Sequence, residues 1–177
     1  MSNRLILNRE ITDDHWLLIE SGATVPATGD IIVPLALWLE QREQLTARSG
    51  RNAVWLAPGD EPGLLAADTA TLPLIAVRFP QFADGRGYST ARLLRERYGF
   101  TGELRAIGYV LRDQLFYLER VGFNAFAIKE GKSIEDALKA FGDFSDAYQS
   151  SAKQPLPLYQ RRLQGQVESG PATAGAP

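Results

Sequence analysis

The residues best able to do chemistry in this 177-residue chain fall in three clusters, each just after a short apolar run. The first holds Arg78, Asp84, Gly85, Arg86, Gly87 and Tyr88, the second Tyr109, Asp113 and Gln114, and the third Lys129, Glu130 and Lys132. In Asp84-Gly85-Arg86-Gly87, two glycines let backbone amides approach an anion at a helix start while Arg86 adds a guanidinium fork. Sulfite, sulfate and phosphate all answer to that chemistry. The pattern stops short of a dinucleotide fingerprint, because Thr90 stands where G-x-G-x-x-G demands its third glycine. Asp84-Gly85 equally suits a tight turn, with the aspartate accepting backbone hydrogen bonds.

Arg78, at a strand end, reads either as a second anion ligand or as the ion-pair partner of Asp84 or Asp113. Asp113 belongs to a first helical turn, where the helix dipole favours a negative charge without further duty. Its chemical reading is a general base beside Tyr109 or Tyr88, a role that needs a raised pKa. The expected site therefore has Asp113 and Tyr109 as catalytic residues, with Arg78, Asp84, Gly85, Arg86, Gly87, Tyr88 and Gln114 binding the ligand.

Other chemistries are narrowed by composition. Without cysteine there is no disulfide, thiol nucleophile or iron–sulfur cluster held by this chain's own thiolates. With His15 as the one imidazole, a zinc or haem site would rest on carboxylates or on a partner, so neither a structural metal nor a cofactor is expected. No serine stands in a G-x-S-x-G elbow.

The elements that must position these clusters are legible from hydrophobic pattern. Residues 1–33 alternate apolar triplets and turns, as in Leu5-Ile6-Leu7 and Ile31-Ile32-Val33, and read as short strands. Pro34 opens a helix carrying Leu35, Trp38, Leu39 and Leu45, which Ser49-Gly50 stops. Ala53–Ala57 and Leu74–Phe79 are apolar strands, the second continuous enough to be buried on both faces of a parallel sheet. A short helix is expected around Leu64-Leu65. Tyr88, Ala91, Leu94 and Tyr98 mark a helix ended by Gly99, with Arg92, Arg95 and Glu96 on its solvent face. The unit repeats as strand Leu104–Ile107, then a helix with Leu111, Leu115 and Leu118 ended by Gly122. A last strand, Ala125–Ile128, precedes a helix capped by Ser133.

Such spacing fits right-handed βαβ crossovers and an α/β fold with a mainly parallel sheet, open or a partial barrel. The chain is short for a complete eight-stranded barrel. One α/β domain over residues 1–149 and a disordered tail over 150–177, rich in Pro, Gln, Gly and Ala, are expected. Within the tail, Leu156, Leu158, Tyr159 and Leu163 beside Arg161-Arg162 form the one candidate docking segment. A net charge of −2 gives no general attraction to nucleic acid or anionic membranes. No stretch has the length of a membrane span and the start lacks a signal-peptide core, which predicts a cytoplasmic protein.

The chain from Ile31 to Phe144, most densely in FPQFADGRGYSTARLLRERYGFTGELRAIG and VLRDQLFYLERVGFNAF, resembles the bacterial family called domain of unknown function 934. The resemblance rests on Phe79, Pro80, Asp84–Tyr88, Gly108, Asp113, Gln114, Gly122 and Phe123, with departures at Tyr109 and Val121. That family carries the label of an oxidoreductase of sulfite reduction, and the resemblance implies a role in assimilatory sulfite reduction without naming catalytic residues. The reduction itself moves six electrons through sirohaem and an iron–sulfur cluster, which this chain has no thiolate to ligate. The resemblance therefore implies an accessory protein partnered with sulfite reductase. The alternative is a small α/β enzyme holding an oxyanion or phosphorylated metabolite at the strand-end loops.

Overall fold

The computed structural model describes residues 4–142. The tail from 150 onward, its docking segment and the domain limit at 149 lie outside the described residues. Eight strands form one sheet in the order β2-β1-β8-β7-β6-β5-β4-β3. They are β1 Arg4–Leu7, β2 Glu10–Asp13, β3 Leu17–Leu18, β4 Ile31–Pro34, β5 Asn52–Leu56, β6 Leu74–Phe79, β7 Glu103–Gly108 and β8 Ala125–Phe126. From β3 to β8 every neighbour is parallel and consecutive in sequence, whereas β1 is antiparallel to both β8 and β2.

The sheet is curled into a half-barrel, and chain length shows why it must be. Three residues, Asp14 to Trp16, join β2 on one edge to β3 on the other. Four Cα steps reach at most about 14 Å. Seven inter-strand gaps in a flat sheet would hold the edges roughly 34 Å apart. The short link is compatible only with a strongly curled sheet.

Side-chain alternation then gives the two faces different jobs. On β6, Ile75, Val77 and Phe79 join the larger core, while Leu74 and Ala76 belong to a second cluster. The larger core takes Trp38 and Leu45 from helix α1 (Leu35–Ala47), Ala91 from α2 (Arg86–Arg92), Leu115 and Leu118 from α3 (Arg112–Arg120) and Ala137 from α4 (Ile134–Lys139). The second cluster, Ile32, Ala53, Trp55, Leu74, Ala76 and Ile107, contains strand residues alone. Helices thus cover the convex face, and the concave face stays open for a site.

Most local expectations hold. Pro34 caps α1, and Ser133 caps α4 with its Oγ accepting from the Asp136 amide at 3.0 Å. The helix near Leu64 is a single 3-10 turn, Pro62–Leu65. After α2 the chain widens into one π-type turn, the Tyr98 amide donating to the Leu93 carbonyl five residues back, and Gly99 ends it at φ +65°. Arg95 is a correction. Rather than solvating a face, its guanidinium turns inward and donates to the carbonyls of Gly122, Phe100 and Gly102 and to Asn124 Oδ1, at 2.6–3.2 Å. These carbonyls belong to loops outside the helix and strand ladders, and the burial pushes the Arg95 pKa down.

Candidate functional site

The concave face of the half-barrel opens as a cleft of about 610 Å³ at the carboxyl ends of the parallel strands. Its floor is apolar, with Leu18, Ile32, Ile107 and Ala127 among the lining residues. Onto that floor project Arg78 from β6, Arg105 from β7, Tyr109 just beyond β7 and Lys129 just beyond β8. Arg4 enters from β1, Asp14 from the link between β2 and β3, and Glu20 follows β3.

Arg78 is placed by the alternation of β6, which sends it to the same face as Leu74 and Ala76. Its guanidinium lies 4.1 Å from the Trp55 ring centroid, a cation–π contact, and Trp55 is fixed in turn by an indole N–H donated to the Ile19 carbonyl at 2.9 Å. The fork is occupied by Glu20, whose carboxylate accepts Nη1 at 2.8 Å and Nη2 at 2.5 Å. Those hydrogen bonds hold the Glu20 carboxyl below its ordinary pKa. Glu20, then, is the partner of Arg78, and the expected pairing with Asp84 or Asp113 is not formed. Asp84 belongs to a loop turned away from the concave face, where Arg86 engages it.

Arg105 is the most buried cation of the cleft, its side chain 3% exposed. Nε donates to Glu103 Oε1 at 2.7 Å, and Nη1 to both oxygens of Asp14 at 3.0 Å. The remaining nitrogen, Nη2, makes no hydrogen bond among the described residues. Asp14 also accepts the Trp16 amide at 3.1 Å, so Arg105 clamps the link that draws the sheet edges together. Lys129 Nζ sits 3.6 Å from the Tyr109 ring centroid, with no carboxylate paired to it among the described residues.

The other expected site residues are placed elsewhere. Arg86 donates Nε and Nη2 to Asp84 at 3.0 and 2.6 Å, and the Arg86 amide closes the turn on Asp84 Oδ1 at 3.2 Å. The guanidinium lowers the Asp84 pKa and is itself raised by that carboxylate. Gly85 caps α2. Gly87 sits against the core: a Cβ there would come within 2.5 Å of Phe79 Cζ. Tyr88 packs edge-on against Phe79 at 5.7 Å, and burial raises its pKa. Gln114 is buried and its Oε1 accepts the Leu111 amide at 2.9 Å, capping α3. Asp113 is exposed in the first turn of that helix and does not line the cleft, whereas Tyr109 does. The structure brings Arg78 and Tyr109 to one cleft, leaves the Asp84–Tyr88 loop and Gln114 in architectural contacts, and puts Asp113 in solvent.

Arg105, Asp14 and Glu20 were absent from the expected site. A signal for Arg105 existed, since a charge inside Leu104-Arg105-Ala106-Ile107, a strand expected to be buried, needs a buried partner. One partner, Glu103, stands two positions back on the same strand, but the other, Asp14, lies 91 positions away, and no spacing rule could name it.

Among the described residues no group of three or more His, Asp or Glu side chains could hold a metal ion, and no helix is long and apolar enough to cross a membrane. No curated protein and no solved structure matches the chain. Residues 53–159 match the model of a bacterial family of unknown function, a span that includes Trp55, Arg78, Arg105, Tyr109 and Lys129 and begins after Asp14 and Glu20. With more than half of its length in that match, the chain belongs to the bacterial protein family of unknown function DUF934.

Proposed function

We propose that this chain serves sulfite reduction as an accessory protein, binding a small oxyanion in the strand-end cleft and working beside the sulfite reductase hemoprotein rather than as the reductase. The observation that carries the binding half is the convergence of Arg78, Arg105 and Lys129 on one open cleft at the carboxyl ends of parallel strands, where α/β sheets hold their ligands. Among the described residues Lys129 has no carboxylate partner, its contact being the Tyr109 ring, and Arg105 Nη2 makes no hydrogen bond. The sulfur half rests on the resemblance of the Phe79–Phe123 stretch to a family labelled with sulfite reduction. An auxiliary role agrees with a chain that has no cysteine to hold the electron-carrying cluster.

The enzyme alternative, with Asp113 as a base beside Tyr109, has less support, because Asp113 stands in solvent outside the cleft lining.

Calorimetric titration with sulfite, sulfate and phosphate, on the wild type and on Lys129→Ala, tests the binding half. Saturable heat in the wild type, weakened about tenfold in Lys129→Ala, is expected from the loss of one charge-assisted contact. Absence of heat with all three ions would remove the anion site. Tagged protein, crosslinked in its native cells growing on sulfate, should bring down sulfite reductase subunits. Repeated failure to do so would remove the accessory role.

A further inference from the structure

The cleft is far larger than the oxyanions considered above. A water molecule's share of liquid volume is about 30 Å³, and an ion of four or five heavy atoms needs only a few times that. A volume of about 610 Å³ lies in the range of sites that enclose whole organic ligands. Cations and apolar side chains line it together: Arg78, Arg105 and Lys129 beside Ile32, Ile107 and Ala127, with the carboxylates of Asp14, Glu20 and Glu130 also on the lining. A bare sulfite would leave the apolar side chains wet.

We infer that the cleft takes an organic anion, an oxyanion head group carried on an apolar body, and that Glu20 holds the place of the head group in its absence. The inference rests on the anion-binding reading of this cleft and names the ligand class for it. The Glu20 carboxylate sits in the Arg78 fork with two oxygens on two nitrogens, the arrangement a ligand carboxylate, sulfonate or phosphate would adopt. Glu20 is suited to leave. Its side chain is 57% exposed, and it follows the two-residue edge strand β3. Exposed ion pairs of this kind are weak enough for a ligand to displace. Arg78 cannot follow it out, being stacked on Trp55 at 4.1 Å, so the fork remains aimed at the cleft. With Glu20 displaced, the head group meets Arg78, Lys129 and the Arg105 Nη2 that has no hydrogen bond among the described residues, and the body lies along Ile32, Ile107 and Ala127. Asp14, whose oxygens are spent on Arg105 and the Trp16 amide, does not oppose it.

The test is a calorimetric series of linear alkanesulfonates, from methanesulfonate to hexanesulfonate, against inorganic sulfite and sulfate, on the wild type, Glu20→Gln and Lys129→Ala. Affinity should rise with each added methylene, up to about fourfold per group if fully buried, from roughly 0.8 kcal/mol per CH₂. Glu20→Gln should tighten every sulfonate about two- to fivefold by removing the competitor for the fork, and Lys129→Ala should weaken all of them. Binding of sulfite with no gain along the series overturns this inference and leaves the oxyanion reading standing. No binding by any ion removes both. A length-dependent affinity that neither substitution alters places the ligand outside this cleft and overturns the proposal.

Discussion

Replacing Arg105 by methionine keeps the apolar stem that packs within the concave face and deletes the charge that two carboxylates depend on. In the native protein Glu103 and Asp14 together accept three hydrogen bonds from this guanidinium, with the Arg105 side chain 3% exposed. Removing one partner of a buried ion pair costs on the order of 3–5 kcal/mol, because the charge left behind has lost both water and its counter-ion. Here Asp14 and Glu103 keep side-chain exposures of 20% and 18%, so some water returns to them and the expected loss falls to about 2–3 kcal/mol. For a urea slope of roughly 1–3 kcal/mol/M, the midpoint should drop by about 0.7–3 M, read by circular dichroism and tryptophan fluorescence together. The control is internal. Adding Asp14→Asn and Glu103→Gln to Arg105→Met neutralises both stranded carboxylates while leaving an oxygen for the Trp16 amide, and should recover more than half of the loss. A shift below about 0.5 kcal/mol, or a triple variant no more stable than the single one, would refute the view that Arg105 holds the sheet closed through Asp14.

Gly87→Ala tests whether the second glycine of Asp84-Gly85-Arg86-Gly87 serves packing: its Cβ would press on Phe79 Cζ at 2.5 Å and Val77 Cγ1 at 3.1 Å, and a loss of about 1–3 kcal/mol in urea unfolding is expected. Stability should also fall in acid. Glu20 and Asp84 have folded pKa values below their unfolded ones, held there by hydrogen bonds from Arg78 and Arg86, so their contribution is complete above the unfolded carboxylate value of about 4 and is lost as pH drops through the folded values. In Asp84→Asn the decline below about pH 4 should be shallower than in the wild type; an unchanged acid limb would mean that the Asp84–Arg86 pair does not differ between the folded and unfolded chains.

The apolar runs Leu74–Phe79 and Leu104–Ile107, with glycines closing the intervening helices, were enough to read the repeated βα units and the parallel sheet. Those signals are local: a strand's period of two and a helix's period near 3.6 act within ten or so residues. Turn and cap chemistry was legible for the same reason, as at Ser133, which bonds an amide three positions away. The site was legible only where one residue sufficed. Arg78 and Tyr109 could be placed at strand ends because a strand end is itself a local feature.

What joins them was decided by tertiary structure. Glu20 reaches Arg78 across 58 positions, and Asp14 reaches Arg105 across 91, because the three-residue link from β2 to β3 curls the sheet and brings its far edges over its middle. The same closure separates look-alike loops: Arg86 is satisfied by Asp84 two residues away and stays on its own loop, while Arg78, only eight positions earlier, faces the cleft. The sequence alone established composition, strand and helix order and the absence of thiol chemistry. Which cations share a cavity depends on side-chain facing and sheet curvature, and both are set by long-range contacts that no spacing along the chain encodes.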